Sequence, residues 1–489
     1  AEPTASQKAD PLDWPYCRGP EYNGTSRETG LPDDFDPEGG EGSNLLWKQP
    51  LAASRGTPIV MNGRLYTLSR SEPETKREGE MVICLDAATG EVLWKNRFNV
   101  WLSDVPDTRV GWSSVVGDPE TGNVYALGVC GYFQCINGET GETIWSNPLH
   151  ESFGLLSTYG GRTNFPIVCD DLVIISGVII GWGEQAKPNY RLIGFNKHTG
   201  EVVWFNGTTN LPEDTTYSSP VLTAFNGQKA LVVAGGDGKV WAFQPLTGKA
   251  IWQYSLSRRG VNSTPLVVNG RVYIGQSEEN VEGNSMGALV AIDGDGTGDV
   301  TRSKEVWRID QLMNGKNQPV MIDGTLYVLD DSAKLWSVNA EKGETLGRRG
   351  TPLGTIGRAS PLVADGKLYV LEANGRWYIM EPDGERGAKI LSRGRFPTGD
   401  ECHGSPIVSH GRLYIPTTGA MYCFEDKSKT HGSTERPPAP EETPVSDDPK
   451  PAHLQIVPAE ALLSTGESQQ YQALLYNSHG QLLGPAKDV

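Results

Sequence analysis

The chain has 489 residues, with 59 Gly, 33 Pro and 13 Trp, and its 43 Lys and Arg against 60 Asp and Glu give a net charge of −17. Glycine exceeds its usual share of about 7%, yet aromatic residues are plentiful and no Gly-x-y period exists, which excludes a collagen-like or globally disordered chain. The acidic balance argues against nucleic acid as a partner. The longest apolar run, 172–180, is too short to span a membrane as a helix.

The negative charge is concentrated at the two ends of the chain. Residues 1–44 hold ten acids and three bases, whereas residues 45–424 carry a net charge of only −5. We therefore predict that residues 1–43 form an acidic extension that packs on a nearly neutral main domain, 44–424. The chain starts at Ala1 without Met, as after signal-peptide cleavage, and we expect a periplasmic or secreted bacterial protein.

A two-part repeat fills the main domain. Its first half has the form Ser/Thr-Pro-Φ-Val-x-x-Gly-Arg-Φ-Tyr, where Φ is apolar, and it is clearest at 57–66 and 264–273. Eight copies, some of them loose, begin at Thr57, Ser114, Phe165, Ser219, Thr264, Gln318, Ser360 and Ser405.

The second half of the repeat is Asp/Asn-x-x-Thr-Gly-Glu-x-Φ-Trp, clearest at 86–94, 137–145 and 196–204. A period of about 50 residues is typical of a four-stranded propeller blade. The tryptophans that mark this period are Trp47, Trp94, Trp145, Trp204, Trp252 and Trp307.

Each repeat predicts a twisted antiparallel sheet of four strands. Asn-Gly, Asp-Gly and Thr-Gly-Glu are hairpin turns, because Gly adopts positive φ without a steric clash. One such sheet cannot bury both of its faces, so the copies must stack in a ring, with the Trp side chains filling the wedges between sheets. The sequence therefore predicts an all-β fold, an eight-bladed β-propeller of four-stranded antiparallel blades.

The two ends of the repeat array are complementary. The eighth copy, 405–424, lacks its Trp strand, and an unattached Trp strand lies at 44–48. We predict that this N-terminal strand completes the eighth blade and closes the ring. Residues 425–451 are acidic and rich in Pro, which predicts an extended linker, and residues 452–489 predict a short β C-terminal extension of two strands.

The Asp-x-x-Thr-Gly-Glu-x-x-Trp units over about residues 13–424 resemble those of PQQ-like (pyrroloquinoline quinone repeat) β-propellers. That quinoprotein alcohol dehydrogenase-like superfamily also contains cofactor-free members such as the outer-membrane-protein assembly scaffold. The motif Asp-Trp-Pro-Tyr-Cys-Arg-Gly-Pro at 13–20 looks like the start of secreted bacterial members, and residues 452–489 are similar to the first strands of a bacterial Ig-like domain. The resemblance implies the fold more firmly than the function.

Two features of the quinoprotein alcohol dehydrogenases are missing from this sequence. The resemblance implies a quinone stacked under a ring of two adjacent, bonded cysteines, and a Glu, Asn and Asp set on calcium beside an Asp base. No two of the seven cysteines adjoin, and the calcium set has no counterpart that can be placed. We expect no cofactor, with PQQ and calcium as the open alternatives. Cys130 and Cys135 flank a turn and are a candidate disulfide, with buried thiols as the alternative.

A Gly-rich loop at 293–299 permits two interpretations. Asp293, Asp295 and Asp299 place carboxylates at alternate positions, as in the first half of a calcium-binding loop. Lys304 stands where such a loop has its bidentate acid, so the alternative is a plain hairpin turn in the place where other repeats have Thr-Gly-Glu.

The repeat also predicts a ligand-binding funnel. We assume that the first strand of each repeat lines a central channel. The residue two positions before the repeat start then points to the same side as the residue at the start, because side chains alternate with period two. Basic and aromatic side chains at one mouth suit an anion or a carbohydrate; the alternative is that they plug the channel. These positions are Arg55, Trp112, Thr163, Tyr217, Asn262, Lys316, Arg358 and His403.

Three functions remain open at this point. The first is an exported, non-catalytic propeller that acts as a scaffold, interaction or ligand-binding module. The others are a PQQ-dependent alcohol or sugar dehydrogenase, and a carbohydrate- or anion-binding protein that uses the funnel. We favour the first because the adjacent cysteines are missing, and we expect as partners other exported or envelope proteins, or a small anionic or carbohydrate ligand.

Overall fold

The computed structural model describes residues 9–100, 110–156, 164–179, 189–209, 217–347, 350–384 and 387–486. Within these ranges the regular structure is almost entirely β, with one α-helix, α1 (Leu149–Phe153), and two 3-10 turns at Pro50–Ala52 and Val445–Asp447. Eight antiparallel sheets of four or five strands follow one another along the chain, the number of repeats in the sequence.

Strands β1 (Glu28–Thr29) and β2 (Leu45–Gln49) precede the repeats. Sheet 1 contains β3 (Ile59–Met61), β4 (Arg64–Ser71), β5 (Gly79–Asp86) and β6 (Val92–Asn99). Sheet 2 contains β7 (Val115–Gly117), β8 (Asn123–Leu127), β9 (Tyr132–Asn137) and β10 (Thr143–Pro148). Sheet 3 contains β11 (Leu155–Leu156), β12 (Ile167–Cys169), β13 (Leu172–Ile179), β14 (Asn189–Asn196) and β15 (Val202–Thr209).

Sheet 4 contains β16 (Val221–Phe225), β17 (Gln228–Ala234), β18 (Lys239–Phe243) and β19 (Ala250–Ser255). Sheet 5 contains β20 (Leu266–Val268), β21 (Arg271–Glu279), β22 (Met286–Asp293) and β24 (Glu305–Asp310), while β23 (Gly298–Asp299) adds in parallel to β19 of sheet 4. Sheet 6 contains β25 (Val320–Ile322), β26 (Thr325–Leu329), β27 (Lys334–Asn339) and β28 (Thr351–Pro352).

Sheet 7 contains β29 (Leu362–Ala364), β30 (Lys367–Leu371), β31 (Arg376–Asp383) and β32 (Gly387–Arg395). Sheet 8 contains β33 (Ile407–Ser409), β34 (Arg412–Pro416), β35 (Met421–Phe424) and the N-terminal strand β2. A short strand β36 (Gly432–Ser433) pairs with β1, and the C-terminal sheet contains β37 (His453–Val457), β38 (Gln472–Tyr476) and β39 (Leu482–Pro485).

The predicted turn chemistry produces these hairpins. Between β3 and β4, Met61 pairs with Arg64, which leaves a two-residue loop of Asn62 and Gly63 with φ of 54° and 71°. Positive φ at both loop residues is the turn that matches the natural twist of a hairpin. At the second kind of turn, the carboxylate of Asp86 accepts hydrogen bonds from the backbone N–H of Ala88 and Thr89.

The tryptophans of the outer strands join neighbouring sheets, as the repeat predicts. The indole of Trp94 in sheet 1 lies against Gly141 in the turn of sheet 2, and its Nε1 donates to the carbonyl of Gly138 at 3.1 Å. Each such contact buries a large side chain and satisfies its one donor. The equivalent indole donors and carbonyl acceptors are Trp145 to Lys197, Trp204 to Pro245, Trp252 to Gly294 and Trp307 to Ala340.

The N-terminal strand closes the ring. Strand β2 pairs antiparallel with β35, with Leu45 opposite Phe424 and Trp47 opposite Cys423. Buried apolar side chains of sheets 1, 7 and 8 form one cluster with Trp14 of the N-terminal segment. The last repeat therefore obtains its fourth strand from the start of the chain.

Residues 10–43, here the N-terminal segment, cross one end of the inner strands. Gly117 donates its N–H to the carbonyl of Pro15, the hydroxyl of Tyr16 donates to the carbonyl of Pro220, and Val363 donates its N–H to the carbonyl of Gly24. These contacts lie in sheets 2, 4 and 7, so the segment reaches inner strands on several sides of the ring.

The C-terminal sheet packs on the outer strand of sheet 3. Gln455 donates from Nε2 to the carbonyl of Val203 at 3.1 Å, and Ala459 donates its N–H to the carbonyl of Val202 at 2.7 Å. The sheet has three strands rather than the two that the sequence predicts, because β39 returns beside β38. An Ig-like domain at 452–489 stays a resemblance of the sequence.

Candidate functional site: the central funnel

A cavity that is open to solvent lies over the channel, at the end where the inner strands begin. Its wall comes from the residues at and before the repeat starts, and its floor from the N-terminal segment. We call this cavity the funnel; it is lined by Arg18, Arg55, Thr57, Trp112, Phe165, Tyr217, Ser219, Thr264, Lys316, Arg358, Ser360, His403, Gly404 and Ser405.

The hydroxyl groups at the repeat starts lock adjacent sheets together. The backbone N–H of Thr57 donates to Oγ of Ser114 at 2.8 Å, and Ser405 N–H donates to Oγ1 of Thr57 at 2.9 Å. The same bond runs from Ser219 to Thr264 and from Ser360 to Ser405. The Ser or Thr at the repeat start therefore accepts a hydrogen bond from the backbone of the neighbouring sheet.

The funnel wall is cationic and aromatic. The guanidinium of Arg358 lies 5.6 Å from the ring centre of Trp112, and the ring of His403 lies 4.6 Å from the same indole. Lys316 forms an ion pair with Asp331 at 2.8 Å. The cationic side chains of Arg55, Lys316 and Arg358 and the tilted ring pair of Trp112 and His403 thus share one mouth.

His403 is neutral at physiological pH despite a carboxylate partner. Its Nε2 lies 2.8 Å from Oε2 of Glu401. Burial lowers the pKa of His403 to about 4, and the positive charges of Arg358 and Arg55 act in the same direction, against the opposing effect of Glu401.

The floor of the funnel is a buried arginine. Arg18 is 3% exposed, and it donates from Nε to Oε1 of Gln318 at 2.5 Å and from Nη2 to the carbonyl of Pro361 at 2.8 Å. Both acceptors are neutral, and Nη1 has no hydrogen-bond partner among the described residues. Burial lowers the pKa of Arg18 to about 10, because the charged form has lost its hydration.

The structure brings together most of the predicted funnel residues. Arg55, Trp112, Tyr217, Lys316, Arg358 and His403 line the cavity, whereas Asn262 does not. Its Oδ1 accepts a hydrogen bond from the backbone N–H of Tyr217 at 3.2 Å, so that side chain turns to the neighbouring sheet. Thr163 lies outside the described residues. Sequence reasoning missed Arg18, although the motif at 13–20 contains it.

The loop at 293–299 has the contacts of a structural turn. Asp293 accepts from Nε of Arg271 at 3.2 Å, and Asp295 pairs with Lys304 at 2.7 Å. Asp299 accepts from the N–H and the hydroxyl of Thr301. Each of the three carboxylates therefore already has a protein donor, and a calcium site at this loop stays a prediction.

The described lining of the funnel does not fit a quinone held on calcium. It contains no Asp or Glu, whereas Ca²⁺ takes six to eight oxygen ligands that usually include carboxylates. The seven cysteines are buried, and the candidate disulfide between Cys130 and Cys135 is not formed.

An all-β ring of four-stranded antiparallel sheets around a central channel defines a β-propeller. The PQQ-repeat family model described as outer membrane protein assembly factor BamB matches residues 33–127, 99–299 and 283–448. The chain therefore belongs to this family of PQQ-like propellers, within the quinoprotein alcohol dehydrogenase-like superfamily.

Curated relatives fall into two groups. The outer membrane protein assembly factor BamB of Yersinia pestis is 25% identical over 46% of this chain and 54% of its own length, and that of Moranella endobia (strain PCIT) is 22% identical over 59% and 65%. The quinoprotein ethanol dehydrogenase of Pseudomonas putida is 25% identical over 25% of this chain and 21% of its own length. The matches thus span between about half and two thirds of the assembly factors.

Solved structures confirm the fold. The chain is similar to BamB from Moraxella catarrhalis, with a TM-score of 0.50 and 16% identity over 74% of this chain and 98% of that one. It is also similar to the quinohemoprotein alcohol dehydrogenase from Comamonas testosteroni, with a TM-score of 0.60 and 14% identity over 87% and 82%. The prediction of an all-β propeller with four-stranded antiparallel blades is confirmed. In the described part of the chain, no helix has the length and apolar character needed to cross a membrane.

Proposed function

We propose that this chain is a non-catalytic propeller of the bacterial cell envelope, on its periplasmic side, that acts as a scaffold in the assembly of outer membrane proteins. The family model and two curated relatives named as assembly factors support this function. The observation that carries it is the lining of the funnel. In this chain the described lining offers a calcium ion no carboxylate.

The outer strands suit such a scaffold, because their edges accept further strands. Strand β23 adds in parallel to β19, with Gly298 opposite Trp252. The C-terminal extension likewise donates the N–H of Ala459 to the carbonyl of Val202 in β15. In the described residues β6 pairs only with β5, so its other edge presents unpaired backbone groups. Adding a strand at such an edge is a general mode of peptide recognition.

Deletion of the gene in the organism that encodes the chain tests this function. We expect the amount of folded β-barrel protein in the outer membrane to fall, as measured by heat-modifiable mobility on gels, and the wild-type gene to restore it. An Arg358→Gln gene should restore it equally, because the scaffold does not depend on the funnel. Unchanged barrel levels after deletion would contradict the proposal.

A second candidate function rests on Arg18. A buried charge normally has a charged or multiply hydrogen-bonded partner, since leaving it uncompensated costs several kcal/mol. Arg18 donates to two neutral acceptors, and its Nη1 has no hydrogen-bond partner among the described residues. Arg55 and Arg358 line the same cavity. The funnel is thus suited to a small ligand with a carboxylate, sulfate or phosphate group, which a guanidinium binds through two parallel hydrogen bonds.

Calorimetric titration with sulfate, phosphate and glucuronate tests this second function and distinguishes the three groups. We expect saturable binding of at least one of them, weakened at least tenfold by Arg358→Gln. The matched control is Arg393→Gln, an exposed arginine on β32 outside the funnel. Absence of binding by all three, or binding that Arg358→Gln leaves unchanged, would overturn it.

A further inference from the structure

Three metal-ligating side chains meet where the N-terminal segment crosses sheets 1 and 8. Asp10 and Asp13 belong to the segment, and His410 lies in the two-residue turn between β33 and β34, with φ of 54°. One ligand atom from each of these residues lies within 4.8 Å of the other two. The shortest contact joins Nε2 of His410 to Oδ2 of Asp10 at 3.1 Å. This cluster is separate from the funnel, because none of the three residues lines that cavity.

Asp13 supplies a buried oxygen that lacks a partner. The residue is 2% exposed, and its Oδ2 accepts the N–H of Asn62 in the first turn of sheet 1 at 3.0 Å. Its Oδ1 has no hydrogen-bond partner among the described residues. Burial raises the pKa of this carboxyl, and the negative charge of Asp10 adds to the effect. A carboxylate oxygen that is buried without a donor is costly, and a bound cation removes that cost.

The hydrogen bonds of His410 direct a lone pair towards the carboxylates. The hydroxyl of Ser409 donates its one proton to the carbonyl of Leu12 at 2.8 Å. In its 2.9 Å contact with Nδ1 of His410, Ser409 Oγ must therefore accept. The proton of a neutral His410 then lies on Nδ1, and the lone pair of Nε2 faces Oδ2 of Asp10. Two acceptors so close repel each other unless a cation lies between them or the imidazole is protonated.

We propose that Asp10, Asp13 and His410 bind a divalent transition-metal cation of the zinc class. One imidazole and two carboxylates suit Zn²⁺, which lies about 2.0–2.2 Å from such ligands, whereas Ca²⁺ prefers a shell of oxygens alone. The Nδ1–H bond to Ser409 fixes the imidazole in the manner of an outer-shell partner. The ion ties the N-terminal segment to the turns of sheets 1 and 8, on either side of the ring closure.

Calorimetric titration of the metal-free full chain with Zn²⁺ tests the site. We expect about one equivalent to bind, and both Asp10→Asn and His410→Gln to weaken binding at least tenfold. Asp10 has 44% of its side chain exposed, so its substitution leaves the fold intact. The matched control is His198→Gln, because His198 forms an exposed pair with Asp171 at 3.5 Å and belongs to no such three-residue group in the described chain.

A second measurement follows the N-terminal segment itself. Zn²⁺ should slow proteolytic cleavage within residues 10–43 of the wild type, and it should leave the cleavage rate of Asp10→Asn unchanged. Failure of Zn²⁺ to bind saturably, or undiminished binding in both Asp10→Asn and His410→Gln, would overturn the proposal. Binding of Ca²⁺ in preference to Zn²⁺ would also contradict it.

Discussion

Nε1 of Trp47 donates a hydrogen bond to the carbonyl oxygen of Ala87 at 3.2 Å and thereby joins the last sheet of the ring to the first. Trp47 belongs to the N-terminal strand β2, and Ala87 to the turn after β5. The indole is 9% exposed and covers Gly90. One side chain thus completes sheet 8 and its contact with sheet 1.

Replacing this side chain should weaken the closure of the ring. Trp47→Ala removes a buried indole, a change that costs about 3–5 kcal/mol of unfolding free energy, and removal of residues 44–50 should cost more. Urea denaturation monitors the loss. Tyr471→Ala is the control, because Tyr471 is 52% exposed and should change the unfolding free energy little. Equal midpoints for the wild type and Trp47→Ala would contradict closure by this strand.

Substitutions at two turn glycines distinguish the cost of backbone strain from the cost of a steric clash. Gly63 and Gly90 have φ of 71° and 73°, so alanine at either position adopts the left-handed region at a cost of about 1–2 kcal/mol. A Cβ at Gly90 would also lie 2.6 Å from the indole of Trp47, whereas one at Gly63 meets nothing within 4 Å. Gly90→Ala should therefore destabilise the fold by about 1–3 kcal/mol more than Gly63→Ala, as measured by denaturation. Equal losses would mean that the indole does not constrain this turn.

Much of this architecture was predictable because it follows from local repeats. The unattached strand that contains Trp47 and the incomplete last repeat together predicted how the ring closes. The alternation of side chains before each repeat start predicted which residues line the funnel. Arg18 was not predictable in the same way, because its acceptor Gln318 is 300 residues distant. Asn262 occupies the same place in its repeat as the funnel residues. Its Oδ1 instead accepts a hydrogen bond from the backbone N–H of Tyr217.

The pH dependence of stability should report on Glu80, which is 1% exposed. Burial raises its pKa to about 7, although the N–H groups of Gly111 and Val129 bond its carboxylate. Because the folded-state pKa lies above the unfolded value, the folded chain binds more protons between about pH 4.5 and 7. Stability from this group is therefore lost as pH rises through that window, by about 3 kcal/mol in total.

Denaturation at a series of pH values measures this effect. Glu80→Gln cannot titrate, so its unfolding free energy should lack the fall that the wild type shows between pH 4.5 and 7. The two proteins are compared by the slope of unfolding free energy against pH. The absolute values differ for a second reason, because the amide of Glu80→Gln also alters the hydrogen bonds with Gly111 and Val129. Identical slopes in the two proteins would contradict a raised pKa at Glu80.

The funnel can be observed directly through His403. NMR titration of its ring should show a midpoint near the pKa of about 4 that burial imposes. A bound sulfate should move that midpoint upward, since negative charge favours the imidazolium. In Arg358→Gln the sulfate-dependent movement should be lost. A midpoint that sulfate leaves unchanged in the wild type would contradict an anion site beside His403.

Reconstitution with the quinone tests most directly the proposal that this propeller is non-catalytic. The purified chain is incubated with pyrroloquinoline quinone and Ca²⁺, and dye reduction is then recorded with ethanol and with glucose as electron donors. We predict no reduction above that of the protein-free mixture, because the described residues that line the funnel include no Asp or Glu to hold Ca²⁺. Alcohol-dependent dye reduction that saturates with quinone would contradict the non-catalytic function.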